Sequence, residues 1–211
     1  DHTRALDLYL QALWRDDDVL VPYSTTFDVQ RHPMPYFDAM GIRLPDVYDA
    51  RAGISGIDRY RAALAHMAAH RRWSKPIFAD NFSPAQRLAI ECFEDSRVDA
   101  LAMREYPGLK RIFKALHPTP VEGACNPATH SCLRHRLACL SRALFDPPRR
   151  FENVQIADWI QRFHALLANG QSSTSEITGL ALSYLAKTRL QSDQLPTPWF
   201  ADTEVDYRDD N

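Results

Sequence analysis

The chain has 211 residues, 45% of them hydrophobic and 25% charged, which suffices to bury a core and excludes a disordered or fibrous polymer. A formal net charge of -2, with Lys and Arg scattered along the chain, leaves no electrostatic footprint for nucleic acid or anionic lipid. Only 7 glycines argue against a hairpin-rich sheet, and no apolar run approaches the roughly 20 residues that span a bilayer, so a cytoplasmic, all-α protein is expected.

Leu6, Leu10, Leu13 and Trp14 recur at helical spacing and predict a first helix over 3–16, ended by Asp16, Asp17 and Asp18. From Val19 to Tyr48, Pro22, Pro33, Pro35 and Pro45 break up any long helix, giving a Pro-rich extended segment with one short strand near Val19 to Tyr23. Ser55 and Asp58 form a start signal ahead of the stripe Ile57, Tyr60, Leu64, Met67 and Ala68, predicting a helix over 56–72. Ser83-Pro84 opens the longest helix, 84–104, which stops before Pro107-Gly108. A short helix over 109–116 is stopped by Pro118 and Pro120, and 121–127 is expected to be loop. Asn126-Pro127 is read as opening the next helix, with Cys132, Leu133, Leu137, Leu140 and Leu144 on its buried stripe and Asp146-Pro147-Pro148 as its end. Asn153 is read as the cap of a run through Ile156, Trp159, Ile160, Phe163 and Leu167 to Asn169-Gly170. Thr174 starts the last helix, through Ile177, Leu180, Ala181, Tyr184 and Leu185 to about Leu190. The sum is an irregular domain of about seven helices spanning 1–211. The stretch 196–211 is expected to be an extended tail leading into a missing domain, so that the chain reads as a fragment of a larger protein.

His66 and His70, four apart on the 56–72 helix, share a face, and Glu91, Glu94 or Asp95 on the next helix can add an oxygen ligand, which is the donor set of a zinc site. Met67 stands where a zincin carries its general-base glutamate, so metal-assisted hydrolysis lacks its proton acceptor, and histidines packed between helices against carboxylates are the preferred reading. Zinc-dependent hydrolysis by His66, His70 and Glu91 or Glu94 remains the rival from another class, which metal content after mutation of both histidines discriminates.

Cys125, His130, Cys132, His135 and Cys139 form a second cluster of soft ligands, at a spacing that matches no zinc motif. Core thiols with surface histidines are expected, with a metal site or a Cys125–Cys132 pair as alternatives. The charges Glu91, Glu94, Asp95, Arg97, Asp99 and Arg104 on the longest helix read as a ladder bordering a helix interface. Glu94, Asp95, Arg97, Asp99 and Arg104 are the candidates for docking a partner. No phosphate loop, G-x-G-x-x-G or G-x-S-x-G occurs, and Ser172-Ser173-Thr174-Ser175 is read as a helix cap.

The ordered series Asp46-Val-Tyr-Asp49, Ser55-Gly-Ile-Asp-Arg-Tyr-Arg61, Glu94-Asp-Ser-Arg-Val-Asp99, Arg104-Glu-Tyr-Pro-Gly108 and Tyr207-Arg-Asp-Asp-Asn211 resembles the NorD/CbbO family, in the region preceding its von Willebrand factor A domain. The match covers most of 40–145 and the extreme C-terminus. The resemblance implies a non-catalytic adaptor that pairs with a MoxR-type AAA+ ATPase hexamer and delivers remodelling force to a client protein. In the CbbO branch the client is Rubisco, freed of inhibitory sugar phosphates, and in the NorD branch it is nitric oxide reductase. Ser131-Cys-Leu-Arg-His-Arg-Leu-Ala-Cys-Leu-Ser-Arg142 looks closer to the CbbO branch. The D-x-S-x-S magnesium motif of the family is not in this chain, so magnesium is expected only in the missing von Willebrand factor A domain and no cofactor in this fragment.

Overall fold

The computed structural model describes residues 2–24, 34–146, 151–152, 154–170 and 172–208. Pro33, Pro147, Pro148, the expected cap Asn153 and the terminal Asp209, Asp210 and Asn211 lie outside the described residues. Among the described residues seven α-helices dominate, as the apolar periodicity predicts, joined by one small sheet: α1 (Thr3–Tyr9), β1 (Leu20–Tyr23), β2 (Tyr36–Asp38), β3 (Gly41–Pro45), α2 (Gly56–Trp73), α3 (Pro84–Glu105), α4 (Leu109–Leu116), α5 (Leu133–Phe145), α6 (Val154–Ala168) and α7 (Thr174–Thr188). Among the described residues no helix is long and apolar enough to cross a membrane.

The chain divides into two compact units, the first made of 1–72, 101–116 and 205–211, the second of 73–100 and 117–204, with α3 divided at Leu101. In the first unit α1 runs into a wider π-helical turn over Leu10–Trp14, which Arg15 ends by turning left-handed at φ 54°. Trp14 packs tilted against Tyr106 at 4.8 Å, and the Tyr106 hydroxyl donates to the Leu13 carbonyl. The strand foreseen near Val19 is β1. It pairs in parallel with β3, which pairs antiparallel with β2, giving the order β1-β3-β2.

That sheet departs from an all-helical reading, and its shortness hid it: β2 has three residues and β3 five, too few for alternation to stand out between prolines. Pro22 fits because β1 is an edge strand, where a missing donor leaves no ladder bond unmade. Gly41 sits at φ 133°, and a Cβ there would run into the Val19 carbonyl, so only glycine lets β3 begin beside β1. Ile42 and Leu44 of β3 are buried, and so are Ala62, Ala63, Leu64 and Met67 of α2 and Phe113 of α4.

The second unit has α5 packed on α6 and α6 on α7. Its aromatic centre is Phe93, 5.4 Å from Tyr184 and 6.4 Å from Phe163, with Trp159 edge-on to Tyr184 at 5.4 Å. Burial pushes the Tyr184 hydroxyl up to about 12. One helix start differs from expectation. α5 begins at Leu133 rather than at Pro127. Asn126 instead turns the chain on itself: its Oδ1 accepts from the Ala128 amide at 3.0 Å and its carbonyl from the His130 amide at 3.0 Å, a single turn that does not propagate. Cys125 and Cys132, with Cα atoms 5.8 Å apart, close that loop as a disulfide, which overturns the expectation of free thiols. Cys92 and Cys139 remain thiols.

After Pro196, where an extended run was expected, the chain contains a single 3-10 turn at Ala201–Thr203 and then buries Asp206, Tyr207 and Arg208.

Candidate functional site

Each unit holds a buried ionic node among its described residues. In the first unit, the start of α2 carries Arg59 at 7% exposure, and the C-terminal segment carries Asp206 at 3%. Arg59 Nε and Nη2 donate to the two Asp206 oxygens at 2.8 and 2.7 Å, the planar fork that suits a carboxylate. Arg51 adds a third contact to Asp206 at 2.6 Å, and Arg59 Nη1 donates to the Asp49 carbonyl at 2.7 Å. The guanidinium also lies 4.4 Å from the centre of the Tyr48 ring, a cation–π contact. Beside this node the Tyr207 ring stacks on Phe113 at 4.2 Å and meets His66 edge-on at 5.8 Å.

In the second unit the node is Glu94 and Arg97 of α3, at 6% and 1% exposure. Arg97 Nε and Nη2 donate to Glu94 at 2.7 and 2.6 Å, and Arg97 also donates to the carbonyls of Ser172 at 2.7 Å and Trp73 at 2.9 Å. Glu94 accepts in addition from the Ser74 hydroxyl at 2.6 Å and the Thr174 hydroxyl at 3.0 Å. Burial alone raises the Glu94 carboxyl, but the bonds from Arg97 and Ser74, the guanidinium charge and the Thr174 bond outweigh it and hold the group below the usual range. Thr174 is the first residue of α7, whose cap is Ser173: its hydroxyl accepts from the Glu176 amide while the Glu176 carboxylate accepts from the Ser173 amide, a complete capping box.

The five docking candidates therefore take different places. Glu94, Asp95, Arg97 and Asp99 are buried, at 6, 4, 1 and 0% exposure, so they do not form an outward charge ladder; Arg104 is exposed. Spacing alone leaves both readings open, because i,i+3 and i,i+4 charges look alike on a solvated face and around a buried ion pair. Of the candidate metal ligands, His66 and His70 belong to the first unit, with rings edge-on at 4.6 Å, and His66 is fully buried. Glu91 and Glu94 belong to the second unit, where Glu94 already holds the Arg97 cation.

In the cysteine and histidine cluster, Cys125 and Cys132 are bonded to each other, while His135 Nδ1 lies 3.9 Å from the Cys139 sulfur within α5. The sequence alone did not bring together a further trio. His117 Nε2 is 2.9 Å from the Ser141 hydroxyl, which is 3.2 Å from the Ser96 hydroxyl, and His117 Nδ1 is 3.2 Å from the Pro118 carbonyl. A carbonyl only accepts, so that contact places the proton on Nδ1 and leaves Nε2 to accept from Ser141. A serine on an imidazole is the pairing of nucleophilic catalysis, but at 3% exposure for His117 and 1% for Ser141 it serves here as an internal polar link. No spacing along the chain announces it, because the three residues come from α3, the turn after α4, and α5.

No family model matches the chain, and neither does any curated protein or solved structure.

Proposed function

We propose that this chain is a non-catalytic adaptor module that couples a MoxR-type AAA+ ATPase hexamer to the remodelling of a client enzyme, with Rubisco as the first candidate client and nitric oxide reductase as the second. The support is a single arrangement. The Arg59–Asp206 pair joins positions 147 apart in sequence, and around it meet three of the five motifs that resemble the NorD/CbbO family. Asp49 and Tyr48 come from the first motif, Arg59 from the second and Tyr207 from the terminal one, adjacent to Asp206. Short motifs scattered by chance have no reason to converge on one ion pair, whereas the signature of a shared scaffold does. Glu94 and Arg97 of the third motif are likewise bound up internally. On this reading the charged motifs hold the helices in place, and contact with other proteins is left to outer helical faces that include the exposed Arg104.

Retention of a purified MoxR-type ATPase on the immobilised chain tests the docking step. Binding at micromolar concentration, weakened several-fold by Arg104→Glu, is the expected outcome; no retention with or without ATP rejects direct docking. Repeating the capture with Rubisco and with nitric oxide reductase separates the two clients.

A further inference from the structure

The disulfide closes an exposed loop, although its own two cysteines are buried. Asn126 to His130 are solvent-exposed, whereas Cys125 and Cys132 are 7% and 3% exposed. A chain with this much buried apolar surface does not depend on a seven-position staple for its fold. What the bond does constrain is local. The Ser192 hydroxyl donates to the Pro127 carbonyl, inside the closed loop, at 2.7 Å. Asp193 is held by Arg136 of α5 at 2.6 and 3.2 Å and by the Leu190 amide at 2.8 Å. Cys132 is the N-cap of α5, four residues before Arg136. The 3-10 turn Gln191–Gln194 is thus clasped by the Pro127 carbonyl inside the disulfide loop and by Arg136 in the first turn of the helix that Cys132 caps.

We propose that Cys125 and Cys132 are a reversible thiol–disulfide switch that sets how firmly the segment 190–195 is held at the N-terminus of α5, with a dithiol as the reductant. This inference is independent of the adaptor reading. A thiolate of the dithiol attacks the Cys125 sulfur, the more exposed of the two, forming a mixed disulfide while the Cys125–Cys132 bond breaks. The departing Cys132 thiolate is released at a helix N-terminus, where the amide dipoles favour negative charge, and takes a proton from water. The second thiol of the reductant then displaces Cys125, leaving two protein thiols and one oxidised dithiol. Without the bond, the Asn126 turn alone positions the Pro127 carbonyl that holds Ser192. An oxidising compartment keeps the clasp shut; a reducing one loosens it.

The test uses the whole chain. Alkylation under denaturing conditions is expected to label two cysteines in protein equilibrated with oxidised glutathione and four after dithiothreitol. Hydrogen exchange of the amides in 190–195 should then accelerate at least about tenfold on reduction, while exchange in α6 and α7 stays unchanged. Asp193→Asn in oxidised protein should give the same local acceleration with the disulfide intact, and Cys125→Ser/Cys132→Ser should match the reduced chain. Reduction of the wild-type protein decides the matter if that double variant fails to fold. Four labelled cysteines after oxidation, unchanged exchange in 190–195 on reduction, or an equal rise throughout the second unit would each overturn the switch.

Discussion

Glu94 and Arg97 show what happens to a charge once it is enclosed. Removing two ions from water costs several kcal/mol each, and the bidentate geometry together with Ser74, Thr174 and the carbonyls of Trp73 and Ser172 offsets that cost. Glu94→Gln leaves the Arg97 cation unmatched, so a loss of about 3–5 kcal/mol is expected, read as a lower denaturation midpoint. The pH dependence follows from the same pair. Because the folded state holds the Glu94 carboxyl below its ordinary range, its contribution is complete above the unfolded value of about 4.3 and disappears as pH falls through the folded one. Acidification below about pH 4 should therefore lower the midpoint of the wild-type chain more steeply than that of Glu94→Gln. Parallel pH curves would show that Glu94 carries no such linkage. At this scale the sequence named the right residues, since Glu94 and Arg97 were singled out, but spacing on a helix does not say which face meets water.

Helix ends were legible wherever the signal was local. Ser173 and Glu176 close a capping box within four residues, and α7 begins at Thr174 as the serine-rich run indicates. Ser173→Ala removes the acceptor for the Glu176 amide and should cost about 1 kcal/mol, with helix loss beginning at the first turn of α7; an unchanged midpoint would mean that Thr174, bonded to Glu94, pins that turn by itself. The α5 start was misplaced because Asn126-Pro127 has the composition of a cap, whereas the pairing of Cys125 with Cys132 closes a loop over the same residues. Two of the three strands went unseen for a related reason. β2 and β3 are specified by pairing, with Phe37 opposite Ile42 and Leu20 opposite Ile42 on the other side, and pairing is a property of two segments rather than of one.

Across the whole chain, the first unit is assembled from three stretches, of which 205–211 is the last to be made. Asp206 supplies the carboxylate for Arg59 and Arg51, and Tyr207, 1% exposed, supplies the ring stacked on Phe113. Ending the chain after Glu204 leaves the Arg59 cation without its carboxylate, with only the Asp49 carbonyl as acceptor, and removes the Tyr207 ring from the core. The expected outcome is loss of cooperative unfolding in the first unit, seen as fast hydrogen exchange in α2 and α4, with slow exchange retained in α6 and α7. Equal protection in both proteins would mean that the tail adds nothing to the unit.

By itself the sequence determined that the chain is helical, where six of the seven described helices begin to within a residue, and which side chains are apolar enough to close a core, because each of these depends on neighbours within a few positions. Tertiary structure alone decided that Glu94, Asp95, Arg97 and Asp99 turn inward, that Cys125 meets Cys132, and that Asp206 returns to Arg59. Those outcomes depend on which distant groups exclude water from one another, and a buried ion pair and an exposed one are written with the same letters.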